Sequence, residues 1–505
     1  MDVTVNTPPL AAAPPDETAH LCFVLDDTTA TALMADARLA PVTPGPPARR
    51  VRANWYDTPD FAMARRGFYV RLRQAGRRHM LALEGPDIAL EAPQASDVPD
   101  MAALGPDWAA TLASLQDNTP LQIIFTSALA RTVWRAGPVT LTFTQGTLQA
   151  EHGKQPVRGL GLSGPPADLY PLALALAEDY PLRLSGWTIA ARGLALAGGP
   201  CPRTAKSDPG LTGAPSLDEA VVTLVRACLR HFTTNWLAFE AGDQEVAVHQ
   251  MRVALRRLRA LLGLLHRDFP CPEFTAFRAE ARRLAANMGE ARDWDVFTRL
   301  VANGPATAFV DEPGLRTLLA QCDNFRTAGH KAVGALLDTP DTTRFVLALE
   351  LFLARRGFRL AATAESLRAL SAPAQDFAAA HLARLHRKVA KRGRHLPRLE
   401  AHARHLVRIE LKKLRYAAEL FGGLFANQGK IRAYTKRATA LQDELGHLND
   451  LATARGLLAR LQSPDPATVR AAGIVLGWCA HAGQANNESL RKGWRKFTES
   501  RPVGG

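Results

Sequence analysis

Two stretches of this chain place the same residue types at the same spacing. His249–Arg259 reads HQMRVALRRLR and His405–Arg415 reads HLVRIELKKLR. A histidine, an arginine three residues on, basic residues at seven and eight, and an arginine at ten recur 156 residues apart. On an α-helix at about 100° per residue, positions 0, 3, 7 and 10 fall within an arc of about 80°. His249, Arg252, Arg256 and Arg259 therefore form one stripe with Arg257 beside it, and His405, Arg408, Lys412 and Arg415 form a second with Lys413 beside it. Like charges stacked at these spacings destabilise a helix, so a bound anion or acidic neighbours must offset them. Asp293, Asp450 and Glu410 are candidate neighbours, too few to neutralise every basic position. Metal coordination fits poorly. His249 has Val253 rather than a ligand one turn on, no carboxylate completes a set with His402 and His405, and a cationic site repels a metal. An imidazole hydrogen-bonded to a phosphate suits the pattern better. An anion raises a histidine's pKa, so binding is expected to tighten as pH falls through about 6.5.

The elements that must carry these stripes are helices. A second element repeats at nearly the same offset: Gly289-x-x-Arg292-Asp293 is matched by Gly446-x-x-Asn449-Asp450, 157 residues on. Two elements at one offset predict a duplicated helical unit, hence two similar bundles. Met251, Val253, Leu255 and Leu258 supply an apolar face opposite the first stripe. Long Ala/Leu/Arg-rich segments at 216–240, 245–266, 273–301, 344–371, 376–395, 399–426 and 430–461 read as helices, making this part all-α. Ahead of them, alternating runs such as FYVRLR (68–73) and VTLTFTQGTLQ (139–149) predict strands between Gly/Pro turns. The predicted plan is a flexible tail at 1–16, an α+β antiparallel barrel domain at 17–200, a Gly/Pro/Ser-rich linker at 201–215, and the helical domain at 216–500.

Charge divides along the same line. Residues 1–210 hold 18 Lys and Arg against 20 Asp and Glu, leaving 44 against 28 for the remainder, so the net charge of +14 comes from the second part. Such asymmetry points to a polyanionic partner of that part: nucleic acid, an acidic membrane surface or polyphosphate. No apolar run reaches the roughly 18 residues that span a bilayer, so no membrane insertion is expected. The N-terminus lacks a secretory signal pattern, and the six dispersed cysteines contain no C-x-x-C, so a cytoplasmic setting is expected.

With Gly289-Glu-Ala-Arg-Asp-Trp-Asp295 and Leu441-Gln-Asp-Glu-Leu-Gly446, the two stripes resemble the CHAD family of conserved-histidine helical domains over about residues 216–500. Those are two pseudo-symmetric bundles around a basic groove. The resemblance implies inorganic polyphosphate as partner, held by the ten stripe residues His249 to Arg259 and His405 to Arg415 named above. Arg282, Arg283, Lys388, Lys391, Arg392 and Arg394 would be further lining residues. It also implies an association with polyphosphate granules and calls for no cofactor or metal. The N-terminal part is similar to the CYTH family, a triphosphate-tunnel barrel, through NWYDTPDFAMARRGFYVRLR (54–73) and Phe23-Val-Leu-Asp-Asp27. The family's E-x-E-x-K strand falls here on Thr18, His20 and Cys22 next to Glu17, its tunnel lysine on Glu84, and its later acidic strand on Gly159, Gly161 and Ser163. Arg71, Arg73, Arg131 and Arg192 stand at arginine positions of the pattern. Metal-assisted triphosphate hydrolysis needs clustered carboxylates, so a degenerate, non-catalytic barrel is expected.

Four functions compete. A polyphosphate-binding protein needs only cations and N–H donors. A metal-dependent triphosphatase, with the helical part capturing substrate, needs the missing carboxylates. Nucleic-acid binding is disfavoured because no aromatic residue occurs between His381 and Arg415 and no known nucleic-acid-binding signature is present. A scaffold for an acidic protein is the fourth, since a basic helical face also suits that partner.

Overall fold

The computed structural model describes residues 18–36, 39, 50–75, 78–85, 88–117, 119–206, 209–360, 362–461, 465–484 and 487–500, without the side chains of 75, 401, 447–452, 482–484 and 487. The tail expected at 1–16, Glu17, residues 207–208 of the linker, and the side chains of Asn449 and Asp450 lie outside the described residues. The chain forms two compact units. One holds residues 1–205 with 233–247 and 337–355, the other 206–232, 248–336 and 356–505.

The first unit is built on an antiparallel sheet. Its strands are β1 (Ala19–Val24), β2 (Val51–Asp57), β3 (Tyr69–Ala75), β4 (Arg78–Gly85), β5 (Ile88–Gln94), β6 (Gln122–Ala136), β7 (Val139–Ala150), β8 (Gly153–Gly164) and β9 (Arg183–Leu184), in the order β5-β4-β3-β2-β6-β7-β8-β1-β9. Every pairing is antiparallel, as the alternating runs predicted. Among the described residues β5 and β9 do not pair with each other, so the sheet is open, in a manner compatible with a CYTH-like barrel. Helices α1 (Asp27–Met34), α2 (Pro106–Gln116), α3 (Pro166–Asp179) and α4 (Ile189–Leu196) accompany the strands. Trp55 and Phe125 stack at 5.0 Å between ring centroids, and the Trp55 indole donates to Ser127 Oγ at 3.0 Å. α4 can lie on this layer because Gly193 faces Phe125; a methyl there would come within 2.1 Å of the ring. In the Tyr-Asp-Thr-Pro-Asp stretch, the buried Asp57 carboxylate accepts from the amides of Thr58, Met63 and Ala64, at 2.7, 2.9 and 2.9 Å. These contacts close a turn.

The helices that follow are α5 (Leu217–Glu240), α6 (Gln244–Asp268), α7 (Pro272–Asn287), α8 (Gly289–Asn303), α9 (Pro305–Ala308), α10 (Pro313–Leu337), α11 (Pro340–Ala354), α12 (Ala364–Ser371), α13 (Ala374–Arg392), α14 (Ala401–Phe421), α15 (Gln428–Glu444), α16 (His447–Arg460), α17 (Pro466–Gln484) and α18 (Asn487–Thr498). Three of the predicted long helices are broken. Residues 273–301 divide at Met288, just before Gly289, and 430–461 divide just before and at Gly446. Residues 344–371 divide where Arg356 takes a left-handed φ of 49° and a short turn follows.

The duplication reads directly from this order. α6, α7 and α8 hold 25, 16 and 15 residues, and α14, α15 and α16 hold 21, 17 and 14. In the second unit α8 and α16 share one core with α10 and α17, in which Trp294, Leu318 and Val475 are buried with Ala454 and Leu457. On α6 the buried face is Met251, Ala254, Leu255, Leu258, Leu261 and Leu262, with Val253 only half-buried. On α14 it is Val407, Leu411, Leu414, Ala418 and Phe421. Burying each of the large side chains contributes about 1.5–3 kcal/mol, and this fixes which face of each helix carries the basic stripe.

Candidate functional site

The site is assembled in the second unit from α6 outwards. Arg252 Nη1 donates to the Ala285 carbonyl in the last turn of α7, where carbonyls lack an intrahelical donor. Its guanidinium then lies beside Gly289, where a methyl would stand 3.2 Å from Nη1. Burial, then Arg256, hold Arg252 down to about 10, while Asp293 opposes them. Arg256 Nε donates to the Arg252 carbonyl at 3.2 Å. His249 is half-buried beside these residues. Burial, followed by the charges of Arg292, Arg256 and Arg252, pushes it down to about 4. Without an anion, His249 is therefore neutral near pH 6.5.

α14 supplies the second half. Lys412 is held down to about 8, by burial first and then by Arg408, Arg256, Arg415 and Arg252. Two of those cations belong to α14 and two to α6, so the repeated helices bring their basic residues into one field. Arg408 lies beside Gly446, where a methyl would stand 3.3 Å from Nη2, as Arg252 lies beside Gly289. The copies differ at the histidine. His405 is exposed, and no hydrogen bond or ion pair to it is found among the described residues.

Acidic residues engage several of the predicted positions. Glu419 accepts from Arg257 at 2.5 Å and from Arg415 at 2.7 Å, joining one basic residue of each stripe. Arg415 also donates to Gln442 Oε1 at 3.0 Å and lies 4.7 Å over the buried Tyr416 ring. The expected partner Glu410 does pair, but with Lys413 and Lys388, each at 3.1 Å, and not with an arginine. Arg283 pairs with Glu280. Lys391, Arg392 and Arg394 are exposed at and beyond the end of α13, and among the described residues no interaction joins them to the cluster.

Arg256, Arg259, Arg282 and Lys412 have no carboxylate within ion-pair distance among the described residues, and neither do Arg278 and Arg292. Burial, then Arg282, Arg278 and Arg256, lowers the pKa of Arg259, so the cationic line continues onto α7. Arg278 and Arg292 were not singled out from sequence as site residues, nor Glu419 as the carboxylate that engages Arg257 and Arg415. Each had a signal: Arg278 stands one turn before Arg282, Arg292 sits inside the repeated Gly-x-x-Arg-Asp, and Glu419 stands four residues after Arg415.

The first unit holds a cavity of about 310 Å³ lined by Trp55, Arg71, Glu84, Arg131, Trp187 and Arg192, among others. Arg71 lies 3.3 Å from Glu84 and 3.2 Å from Glu91, and Arg73 lies 2.9 Å from Glu91. Burial, then Arg71, lowers the pKa of Arg131. Gly159 and Gly161 line the wall where the CYTH resemblance would place carboxylates, and Cys22 stands where it would place a lysine. Among the described residues no group of three or more His, Cys, Asp or Glu is placed to hold a metal ion. The described residues of this cavity do not fit a divalent cation.

The protein-family model of the CYTH domain matches residues 47–149, and that of the CHAD domain matches residues 223–459. A solved CHAD domain from the plant Ricinus communis is 30% identical with a TM-score of 0.49, covering 60% of this chain and 97% of that one. PptA from Streptomyces chartreusis is 17% identical with a TM-score of 0.43, covering 56% of this chain and 100% of that one. No curated protein matches the chain. Among the described residues no helix is long and apolar enough to cross a membrane.

Proposed function

This chain belongs to the CHAD family through its helical part and to the CYTH family through its sheet domain, and we propose that the helical part binds inorganic polyphosphate in a basic groove built by α6 and α14. The observation that carries this reading is the shared field of Lys412, Arg408, Arg252 and Arg256, drawn from both repeated helices. Arg256 and Lys412 have no acidic partner among the described residues. Desolvating cations beside one another is unfavourable, and a bound polyanion removes that cost. A bare phosphate chain asks for cations and N–H donors at a repeating spacing, which the stripes and their continuation through Arg259, Arg278 and Arg282 supply.

The neighbourhood favours a phosphate chain over nucleic acid. Single strands are held largely by base stacking on aromatic side chains. Tyr416, the aromatic beside Arg415, is 4% exposed and packs under that arginine. A granule-bound, cytoplasmic setting follows from a polyphosphate partner and is part of the same proposal. In the sheet domain Glu84 and Glu91 are engaged by Arg71 and Arg73, which supports a non-catalytic role.

The test is a binding competition among long-chain polyphosphate, triphosphate, and single- and double-stranded DNA at fixed ionic strength. Long polyphosphate is expected to displace all three others; displacement of bound polyphosphate by DNA at equal charge concentration would overturn the reading. Robust phosphate release from triphosphate with Mg²⁺ or Mn²⁺ would instead favour a processing enzyme.

A further inference from the structure

The repeated glycines Gly289 and Gly446 have no role in a charge pattern, yet they recur with it. Each stands at the junction of two consecutive helices, Gly289 opening α8 one residue after α7 ends, and Gly446 immediately before α16. Neither needs a left-handed backbone: Gly446 has φ −74°, and neither residue is among the glycines with positive φ. The absence of a side chain is therefore what matters. A Cβ at Gly289 would meet Arg252 Nη1 at 3.2 Å, and one at Gly446 would meet Arg408 Nη2 at 3.3 Å, both inside the ordinary contact distance of about 3.5–4.0 Å. Arg252 and Arg408 are the equivalent arginines of the two His-x-x-Arg motifs. At the first seat the guanidinium also donates to the Ala285 carbonyl at the end of α7.

We infer that Gly289 and Gly446 are positioning residues, each leaving the seat that holds a motif arginine in the polyanion site. The inference rests on the proposed polyphosphate reading and adds the reason the second sequence element is duplicated with the first. A methyl at either position makes the guanidinium give by a few tenths of an ångström, while leaving the helix itself better disposed to form, since alanine is the stronger helix former. At Gly446 the added carbon would also lie 2.9 Å from the Asp443 carbonyl, so Gly289 gives the cleaner test.

The experiment is a double-mutant cycle on the full chain with long-chain polyphosphate as probe, using Gly289→Ala, Arg252→Met and the pair. Taking the salt slope of a single-stranded polyanion, loss of one seated arginine makes the slope shallower by about 0.7, which is about fourfold in affinity at 0.15 M salt. Gly289→Ala is expected to lose part of that, and to lose nothing further once Arg252 is already methionine. A second loss in the Arg252→Met background would mean that the glycine acts through helix packing alone, and overturns the inference. Full affinity in Gly289→Ala, with a loss in Arg252→Met, overturns it too while leaving the polyphosphate reading intact. Polyphosphate affinity that stays the same in Arg252→Met sinks the reading itself. Should Gly289→Ala fail to fold by thermal melting, Gly446→Ala with Arg408→Met carries the same cycle.

Discussion

At the scale of single residues, Lys412 is the most informative group. Its free-state pKa of about 8 reflects burial and four neighbouring cations. A bound anion favours the ammonium form and raises that value, so between the two pKa values binding takes up a proton. Polyphosphate affinity should therefore be level just below pH 8 and fall as pH rises above it, by up to about tenfold per unit. Lys412→Arg, charged throughout, should remove the decline; an unchanged profile in that variant would show that another group titrates. His249 acts on stability. Its folded value of about 4 lies below the ordinary value of about 6.5, so the unfolded chain binds the extra proton between them. Its contribution is intact above pH 6.5 and is lost as pH falls towards 4, and denaturant titrations of His249→Gln should show a flatter dependence across that window. Glu419 holds Arg257 and Arg415 with all three side chains mostly buried. Glu419→Gln should cost about 3 kcal/mol by chemical denaturation without weakening polyphosphate binding.

At the scale of elements, what matters is that α6 and α14 each bring half of the cations. A chain long enough to touch both gains an effective concentration that a short one lacks. Arg256→Glu alone should thus lower affinity for long polyphosphate more than for triphosphate, measured side by side at one ionic strength; equal losses would mean the stripes bind independently. The helices themselves were readable from apolar periodicity, since Leu255, Leu258, Leu411 and Leu414 recur on one face and all are buried. Their breaks were less readable. A single glycine in a run of good helix formers is locally tolerated, and only its packing against Arg252 or Arg408 explains why Gly289 and Gly446 stand where the chain turns.

Over the whole molecule, the uneven charge was legible from composition, and so was the antiparallel sheet, because strand alternation is a local signal. The division of the stripes was not. Arg257 and Arg415 share a helical face with Arg256 and Lys412, yet Glu419 takes the first pair and, among the described residues, the second is left without a carboxylate. Arg415–Glu419 is a local pair four residues apart, but that Glu419 also reaches Arg257 depends on a contact 162 residues away in sequence, which no local pattern encodes. The central claim is that the unpaired cations from both helices form one polyphosphate site. Its most direct test is the affinity for long-chain polyphosphate, against salt concentration, of the full chain and of Arg256→Glu/Lys412→Glu. Tight, steeply salt-dependent binding that collapses in the double variant at about 0.15 M salt is the predicted result; binding of undiminished strength in that variant contradicts the account.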